Sequence, residues 1–519
     1  MAILVLLILA TVSVYAWTAW RFFNYMQDDA FINLRYAINF HLGNGWVLTK
    51  GDPVEGYTSP AQLWIITAVT KFFDIDRGIF ALKFIGFILG GATLLMTSRL
   101  TTVIYPGHPR IAALTPLLVV LHPGFTISMI NTMEQSLAAC LLTWGLLRLL
   151  EEDSSKKSVD YGTPVIFAAL ALTRPEFVIL YPALLLLCRR TRGGVLSGIP
   201  YAAVLAVFEA ARIYYYHDYV PNTYHAKWNP AGGIVDGWIY LVDYGAPWQA
   251  SVGLLIILVG LVAMRRQTSK AIPLIVALVL HSAFVVASGG DWMLEGRFVT
   301  PILPEVSIAC IAACVAAFTL IDRMLTPRGK PMKPAGLGDR ALAVAVVCAL
   351  AYFATQPCWD KMSSIVNPRT LSETLAPGSP LSRWSCVLPD GRIKMANWVS
   401  SHARPGQLVV TSELGLVSVM NPLINFIDFR GLADRRIAAM HSYQHCKYGV
   451  FVTDWMDPSG EAANYLLSRR PDFIIILDDG DQEHPGCPAA RSYQSADSFI
   501  VVLDHTEESP YVVNTWIRR

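Results

Sequence analysis

Apolar runs follow one another over the first 353 residues, and they constrain this chain more than any other feature. Of its 519 residues 54% are hydrophobic and only 15% are charged, whereas soluble proteins carry about 25% charged residues. A helix needs about 20 mostly apolar residues to cross a bilayer. The sequence therefore excludes a water-soluble globule and predicts a polytopic α-helical membrane protein.

The apolar runs predict about eleven transmembrane helices. The first run precedes every basic residue of the chain, which favours an uncleaved helix over a cleaved signal peptide. The predicted spans are 2–20, 79–98, 111–127, 136–150, 164–172, 178–187, 195–211, 251–264, 272–288, 300–321 and 341–355. The sequence thus predicts a transmembrane domain over 1–355, with a large first outer loop at 21–78.

From residue 356 to the C-terminus the composition becomes that of an ordinary soluble protein. Short apolar runs at 407–411 and 473–477 each follow a helix-like segment, which predicts an α/β domain over 356–519. Basic residues recur in alternate short loops, and an odd number of crossings then places this domain outside the cytoplasm. A net charge of +2 is too balanced for a nucleic-acid-binding protein.

Four cysteines lie in the predicted extracytoplasmic domain. An even number of cysteines in an oxidising compartment favours two disulfides, with three possible pairings, over four free thiols. The candidates are Cys358, Cys386, Cys446 and Cys487.

An acidic pair, Asp28-Asp29, follows the first span at its outer end. Two adjacent carboxylates can bind a divalent metal ion, accept a proton from a hydroxyl group, or do both. The alternative is structural, because Asp is a favoured N-cap for a helix that starts near Ala30.

Charged residues also lie close to the membrane in two further predicted outer turns. Glu134 precedes a span, and Arg174-Pro175-Glu176 interrupts an apolar stretch. Charges in such positions are functional candidates. The alternative is that Arg174 and Glu176 pair with each other or cap the helix turn.

Two longer outer segments combine aromatic, amide and charged side chains. One contains Asn222, Tyr224 and Lys227, which suit sugar stacking, hydrogen bonding and phosphate binding. Its alternative is an aromatic belt with a snorkelling lysine. The other runs from Asp291-Trp292 to Arg297, whose guanidinium is suited to a phosphate; the alternative is a salt bridge between Asp291 and Arg297.

Several of these motifs resemble one family. The matching sequences are Asp28-Asp29-Ala30-Phe31, Val54-Glu55-Gly56-Tyr57-Thr58-Ser59-Pro60, Thr173-Arg174-Pro175-Glu176, Pro221-Asn222-Thr223-Tyr224, Gly290-Asp291-Trp292-Met293 and Asp428-Phe429-Arg430-Gly431-Leu432-Ala433-Asp434. They resemble the C-type-fold polyprenyl-phosphate-dependent membrane glycosyltransferases, and in particular the terminal arabinofuranosyltransferase family of actinobacterial cell walls and its Gram-negative relatives. Gly56 and Tyr57 depart from the Ala-Asn of the actinobacterial enzymes, which leaves donor and acceptor identity open.

The resemblance implies a function and a location. Such enzymes move a sugar, here with arabinofuranose as the first candidate, from a polyprenyl-phosphate donor to a hydroxyl of a glycan, lipid or protein. The resemblance implies a bacterial inner membrane, with the active site and the C-terminal domain on the periplasmic side.

The resemblance also assigns expected roles to residues. Asp28 and Asp29 are the expected catalytic residues, and both are candidate ligands of a divalent metal ion. Arg297, Lys227 and Arg174 are expected to bind the donor phosphate. The expected sugar- or acceptor-binding residues are Glu55, Tyr57, Glu134, Asn222, Tyr224, Asp291 and Trp292.

Two other functions compete with this one. A transporter or flippase of lipid-linked sugar would have internal repeats and charges near the bilayer midplane, and the sequence has no repeat. A non-catalytic scaffold that binds a glycan would leave the acidic pair of the first outer loop without a role.

Overall fold

The computed structural model describes most of the chain, and the statements below concern the residues it describes. These are 2–151, 161–188, 194–227, 233–242, 259–263, 269–291, 293, 295–325, 359, 391–440, 443–446, 449–452, 461–478, 498–504 and 511–512.

Up to residue 325 the regular elements of the described chain are helices, apart from an isolated bridge between Thr49 and Asp52. In chain order they are α1 Ala2–Arg21, α2 Asp28–His41, α3 Pro60–Phe72, α4 Ile75–Ile104, α5 Pro109–Leu121, α6 Pro123–Ile130, α7 Gln135–Glu151, α8 Gly162–Thr173, α9 Leu180–Cys188, α10 Gly198–Tyr216, α11 Asn222–Lys227, α12 Gly233–Tyr240, α13 Ile272–Ala287 and α14 Leu303–Leu325. Short 3₁₀ helices span Pro175–Ile179, Gly194–Ser197, Ser269–Ala271 and Thr300–Ile302.

Three stretches of the described chain are long and apolar enough to cross a membrane by themselves: Ala2–Arg21, Ile75–Ile104 and Thr300–Ala317. Shorter apolar helices at Gly162–Thr173, Pro175–Leu187 and Ile272–Ala287 coincide with further predicted spans. The predicted spans at 251–264 and 341–355 lie largely or wholly outside the described residues, as does the predicted boundary at 355/356.

The sequence predicts one continuous span at 111–127, whereas the structure has two helices there. Helices α5 and α6 meet at an angle of 73°. The residue before a proline is disfavoured in the helical region, and His122, which precedes Pro123, is extended with φ −82° and ψ 109°. The bend brings the end of α6 to a tight turn in which Thr132 has a positive φ of 66°.

Two helices, α2 and α3, form most of the first outer loop. Ser59 accepts a hydrogen bond from the backbone amide of Gln62 at the start of α3. One face of α3 is buried through Leu63 and Ile66, whereas Phe72 at its end is 77% exposed. This thirteen-residue helix is too short to cross the bilayer and packs beside the bundle.

The C-terminal segment, defined as residues 391–512, combines helices with a five-stranded sheet. Its helices are α15 Gly391–His402, α16 Gly415–Met420, α17 Arg435–Ala439 and α18 Glu461–Ser468, and its strands are β1 Leu408–Thr411, β2 Asn425–Asp428, β3 Tyr443–Cys446, β4 Gly449–Val452, β5 Phe473–Asp478, β6 Ser498–Asp504 and β7 Tyr511–Val512. The order is β2-β1-β5-β6-β7, and β3 and β4 form a separate pair. Strand β1 is parallel to both β2 and β5, which coincides with the predicted α/β pattern.

The first outer loop and the C-terminal segment share one hydrophobic core. Leu34 and Tyr36 of α2 are buried in the same cluster as Leu416 of α16 and Phe426 of β2. The sheet therefore packs directly on the loop that carries the acidic pair.

Candidate functional site

A cavity of about 620 Å³ lies between the first loop, residues 21–78, and side chains of α8, α10 and α13. Its volume is typical of sites for small ligands. Its charged lining residues include Asp29, Glu134, Arg174, Lys227 and Arg297. Its apolar lining residues come from α8, α10, α13 and the 3₁₀ helix at 175–179, namely Leu172, Val178, Leu205, Ala206, Phe208 and Phe284.

Asp29 lies in the first turn of α2 and faces the cavity, with 23% of its side chain exposed. Arg297 Nη1 donates a 3.3 Å hydrogen bond to Asp29 Oδ2. The same guanidinium contacts both oxygens of Asp291, at 2.6 Å from Nε and 3.0 Å from Nη2. The predicted Asp291–Arg297 salt bridge is thus present, and Arg297 also contacts Asp29.

The charges around Arg297 determine its protonation. Burial alone would lower the pKa of Arg297, but Asp291, Asp29 and Glu134 together raise it above the ordinary value. The guanidinium is therefore a permanent cation at the cavity wall.

Arg174 forms a second buried cationic site. Its Nη1 lies 2.8 Å from Glu134 Oε1, and its Nε lies 2.6 Å from Glu176 Oε1. The Phe298 ring lies against both guanidiniums, with ring centroids 4.7 Å from Arg174 Cζ and 5.3 Å from Arg297 Cζ. Arg174 does pair with Glu176, and Glu134, predicted separately, joins the same group.

Lys227 differs from the two arginines because its ammonium makes no ion pair with any carboxylate among the described residues. It lies in the last turn of α11 and lines the cavity. Burial lowers the pKa of Lys227, and the charge of Asp29 opposes that shift. Within this part of the chain, Lys227 is the cation best able to accept an incoming anion.

The structure separates the two aspartates of the acidic pair. Asp28 is only 8% exposed, is not among the residues that line the cavity, and contacts the C-terminal segment. Its Oδ2 and Oδ1 accept hydrogen bonds from the backbone amides of Gly415 and Leu416, at 2.8 and 2.9 Å. Backbone amides thus occupy the Asp28 carboxylate, and Asp29 is the member of the acidic pair that faces the cavity.

The surroundings of Asp28 determine its acidity. Burial raises the pKa of Asp28 to about 6, and Glu413 adds to this effect, while Arg392 and the two amides oppose it.

Glu55 is paired with a residue that the sequence analysis did not select. Arg212, near the end of α10, contacts Glu55 at 2.7 Å and Glu209 at 2.8 Å. Arg212 and Glu209 line the cavity, whereas Glu55 is buried behind them. The i,i+3 spacing of Glu209 and Arg212 at the end of an apolar run is the signal that could have identified them.

The remaining predicted binding residues are distributed between the cavity and the interface. Tyr57 and Tyr224 line the cavity, and the Tyr57 hydroxyl lies 2.9 Å from that of Tyr216. Asn222 instead donates two hydrogen bonds, to the carbonyls of Gly431 and Leu432 at 2.8 and 2.9 Å. Asn222 therefore holds the C-terminal segment in place and does not face the cavity.

Five further residues selected from the sequence fall partly or wholly outside the described part of the chain. Trp292, Cys358, Cys386 and Cys487 lie outside the described residues, and the side chain of Cys446 lies outside them as well.

The carboxylates of the acidic pair do not form a shared metal site. In the described parts of the chain, no group of three or more His, Cys, Asp and Glu side chains is arranged to hold a metal ion. Asp28 is bonded to amides and Asp29 to Arg297. Among the described residues, the side chains around the acidic pair therefore do not fit the expected divalent ion.

Solved structures define the class of fold. The structure of the Archaeoglobus fulgidus oligosaccharyltransferase in complex with Zn and sulfate matches with a TM-score of 0.54 at 11% identity, covering 91% of this chain and 67% of that one. The archaeal oligosaccharyltransferase AglB from the same organism, in complex with an inhibitory peptide and a dolichol-phosphate, matches with a TM-score of 0.51 at 11% identity, covering 92% and 69%. The chain therefore shares the fold of these oligosaccharyltransferases.

A curated relative narrows the comparison. The chain is 28% identical over 369 residues to the terminal β-(1→2)-arabinofuranosyltransferase of Corynebacterium glutamicum, over 60% of this chain and 51% of that protein. The chain thus spans about half the length of this relative. Residues 385–515 match the model of a domain of unknown function, DUF8728. The resemblance found in the sequence, to C-type polyprenyl-phosphate glycosyltransferases and their arabinofuranosyltransferase members, is confirmed.

Proposed function

We propose that this chain is a membrane glycosyltransferase that moves a sugar from a polyprenyl-phosphate donor to a hydroxyl of a glycan, lipid or protein acceptor. Arabinofuranose is the sugar we propose first, because the curated relative transfers it by name. We place the cavity and the C-terminal segment on the periplasmic side of a bacterial inner membrane. The observation that carries the proposal is a cavity whose lining combines buried cations, called here its polar end, with apolar side chains, called here its apolar wall.

The apolar wall suits the prenyl chain of the donor. It consists of side chains from helices that are themselves apolar, including α8 and α13. Burial of a hydrocarbon chain against such a wall contributes roughly 25 cal/mol per Å² of apolar surface removed from water. The donor would therefore enter from the lipid side with its phosphate towards the polar end.

The polar end suits the donor phosphate. Lys227 has no carboxylate partner in the described chain, and Arg297 keeps a permanent charge beside it. Negative charge grows on the phosphate as the bond between the sugar C1 and the phosphate oxygen breaks. Cations already in place stabilise that charge more in the transition state than in the ground state, which accelerates the reaction.

Asp29 is the base that we propose for the acceptor. Its carboxylate is exposed to the cavity and is oriented by Arg297. An acceptor hydroxyl has a pKa far above 7, so a carboxylate within hydrogen-bond distance assists its attack. The acceptor oxygen forms the new bond to C1, Asp29 takes the hydroxyl proton, and the polyprenyl phosphate leaves with the electrons of the broken bond.

The decisive experiment replaces Asp29. The Asp29→Asn variant, purified in detergent, is assayed for transfer of radiolabelled arabinofuranose from a synthetic polyprenyl phosphate to an oligosaccharide acceptor. A loss of roughly two to four orders of magnitude in kcat is expected from removal of a general base. Asp76→Asn is the matched control, because Asp76 also lies in the first turn of a helix, α4, but outside the cavity lining.

Two results would count against the proposal. Full transfer activity in Asp29→Asn would remove the proposed base. Movement of the intact lipid-linked sugar across proteoliposomes by the wild-type protein, without transfer to any acceptor, would identify a flippase instead.

A further inference from the structure

Asp28 and Arg35 bind opposite ends of one helix in the C-terminal segment. The Asp28 carboxylate accepts the amides of Gly415 and Leu416 at the start of α16. The Arg35 guanidinium donates to the carbonyls of Ser418 at 3.1 Å and of Ile424 at 2.7 Å, at and beyond its end. Negative charge at a helix N-terminus and positive charge near its C-terminus are each favourable.

The spacing of these two residues matches the length of the helix that they bind. Asp28 and Arg35 are seven residues apart in α2, which at 1.5 Å per residue is about 10 Å. Helix α16 has six residues and is therefore about 9 Å long. Helices α2 and α16 thus run side by side in the same direction, with the charged groups at both ends.

Gly415 allows the close approach of the two helices. A Cβ atom at this position would collide with the backbone oxygen of Asp28 and lie 2.6 Å from its Cγ. Any larger residue at 415 would therefore displace the first turn of α2. That turn also contains Asp29.

Arg35 is held as tightly as Asp28. It is 2% exposed, makes a further hydrogen bond of 2.9 Å to the carbonyl of Pro422, and lies over the ring of Phe426 with Cζ 5.6 Å from the centroid. Next to Asp28, Glu413 is itself paired with Arg430 at 3.1 Å and with Arg392 at 3.8 Å. The interface is thus a buried polar network, and such networks fix one geometry when their members are satisfied.

We propose that the Asp28–Arg35 clamp, formed by these two side chains around α16, positions Asp29 for catalysis, so that the C-terminal segment sets the geometry of the reacting carboxylate. Asp28 is thus a positioning residue and Asp29 is the catalytic residue. This inference rests on the proposed function of the cavity. It assigns the C-terminal segment a role in the rate of the chemical step, separate from any contact with the acceptor.

The test compares two variants on opposite sides of the interface in the full-length purified protein. Asp28→Asn keeps the shape of the side chain but removes its charge and one acceptor oxygen. Gly415→Ala pushes the first turn of α2 from the other side. Both are expected to lower kcat about ten- to a hundredfold, since a displacement of about 1 Å at a reacting group costs rates of this order, while the KM for the polyprenyl-phosphate donor changes less than about twofold.

Hydrogen exchange separates positioning from a general loss of structure. The amides of Gly415 and Leu416 should exchange faster in Asp28→Asn, and amides of α4 and α7 should exchange as in the wild type. Gly91→Ala is the matched glycine control, because a Cβ at Gly91 meets no atom within 4 Å, and its kcat should equal that of the wild type.

Each outcome decides between alternatives. Unchanged kcat in both Asp28→Asn and Gly415→Ala overturns the clamp, and so does an equal loss that appears entirely in KM. If one variant does not fold, the other still decides the question. Activity retained in Asp29→Asn would overturn the proposed function instead, so the two failures are distinguishable.

Discussion

Removal of Arg297 tests whether its role is structural, catalytic or both. The side chains of Arg297 and Asp291 are 7% and 4% exposed, and they contact each other at 2.6 Å. Replacing Arg297 by Met leaves Asp291 as a buried charge with its main partner gone. Breaking a buried pair in this way costs about 3–5 kcal/mol of stability, so a large fall in the thermal midpoint of Arg297→Met is expected.

A second substitution separates the two roles. Asp291→Asn in the Arg297→Met background removes the uncompensated charge, so most of the lost stability should return. Transfer activity should not return, because the cation beside the leaving phosphate is still missing. Loss of one preorganised group of this kind costs about 2.7–4 kcal/mol in the transition state, or roughly a hundred- to a thousandfold in kcat.

The assay follows both quantities on the same samples. Thermal unfolding in detergent gives the stability, and arabinofuranosyl transfer from a synthetic polyprenyl phosphate gives kcat. Arg77→Met, which removes an exposed arginine 3.4 Å from Asp74, controls for the loss of a positive charge. If the double variant recovers its activity together with its stability, Arg297 is only a structural residue and the phosphate assignment is refuted.

Three further predictions follow from other groups. Lys227→Met should raise the donor KM and lower kcat, for a combined loss of roughly a hundredfold in kcat/KM, because a cation with no carboxylate partner in the described chain is lost. Lys71→Met, at the exposed end of α3, should leave both constants unchanged, and a fully active Lys227→Met would contradict the role of Lys227. Burial raises the pKa of Asp428 to about 6, so the folded state binds more protons than the unfolded state between about pH 4 and pH 6. The contribution of the Asp428 side chain to stability therefore falls as the pH rises through that range. The thermal midpoint of the wild type minus that of Asp428→Asn should decrease from pH 4 to pH 6, and a constant difference would contradict the raised pKa. Chelation with EDTA should leave transfer unchanged, because Asp28 and Asp29 are engaged by amides and by Arg297; activity that is lost with EDTA and restored by a divalent ion would instead support the metal ion expected from the sequence.

The sequence was most informative where a single property determines the outcome. Apolar runs of sufficient length located α1, α4 and the helix that begins near residue 300. Charged residues at the outer ends of apolar runs located Glu134, Arg174 and Arg297, since such charges need partners near a membrane. The motifs also identified the family resemblance that the comparisons confirm.

The sequence could not determine contacts between distant segments. Asp28 and Asp29 are adjacent and chemically identical, yet one bonds to Gly415 and the other to Arg297, because successive residues of a helix point about 100° apart. The carbonyls of the C-terminal segment that accept from Arg35 lie almost 400 positions away in the chain. Nothing in the local pattern around Glu55 shows that Arg212, rather than a ligand, occupies its carboxylate.

The bend between α5 and α6 shows a different limit. Pro123 indicated a possible interruption, but the apolar run continues through it, so composition alone predicted one span at 111–127. The extended conformation of His122 is a backbone property that hydropathy does not report. The direction of the bend determines where the turn carrying Glu134 lies, and only the packed structure fixes it.

The common core of the first outer loop and the C-terminal segment has a consequence for exchanging parts between relatives. Leu34 and Tyr36 pack with Leu416 and Phe426, so neither partner has a complete interior without the other. A chimera that imports a foreign C-terminal segment alone would join surfaces that were never matched, and it should misfold or lose turnover. The first outer loop and the C-terminal segment should therefore be exchanged together. A natural change in acceptor preference would likewise require matching substitutions in both segments.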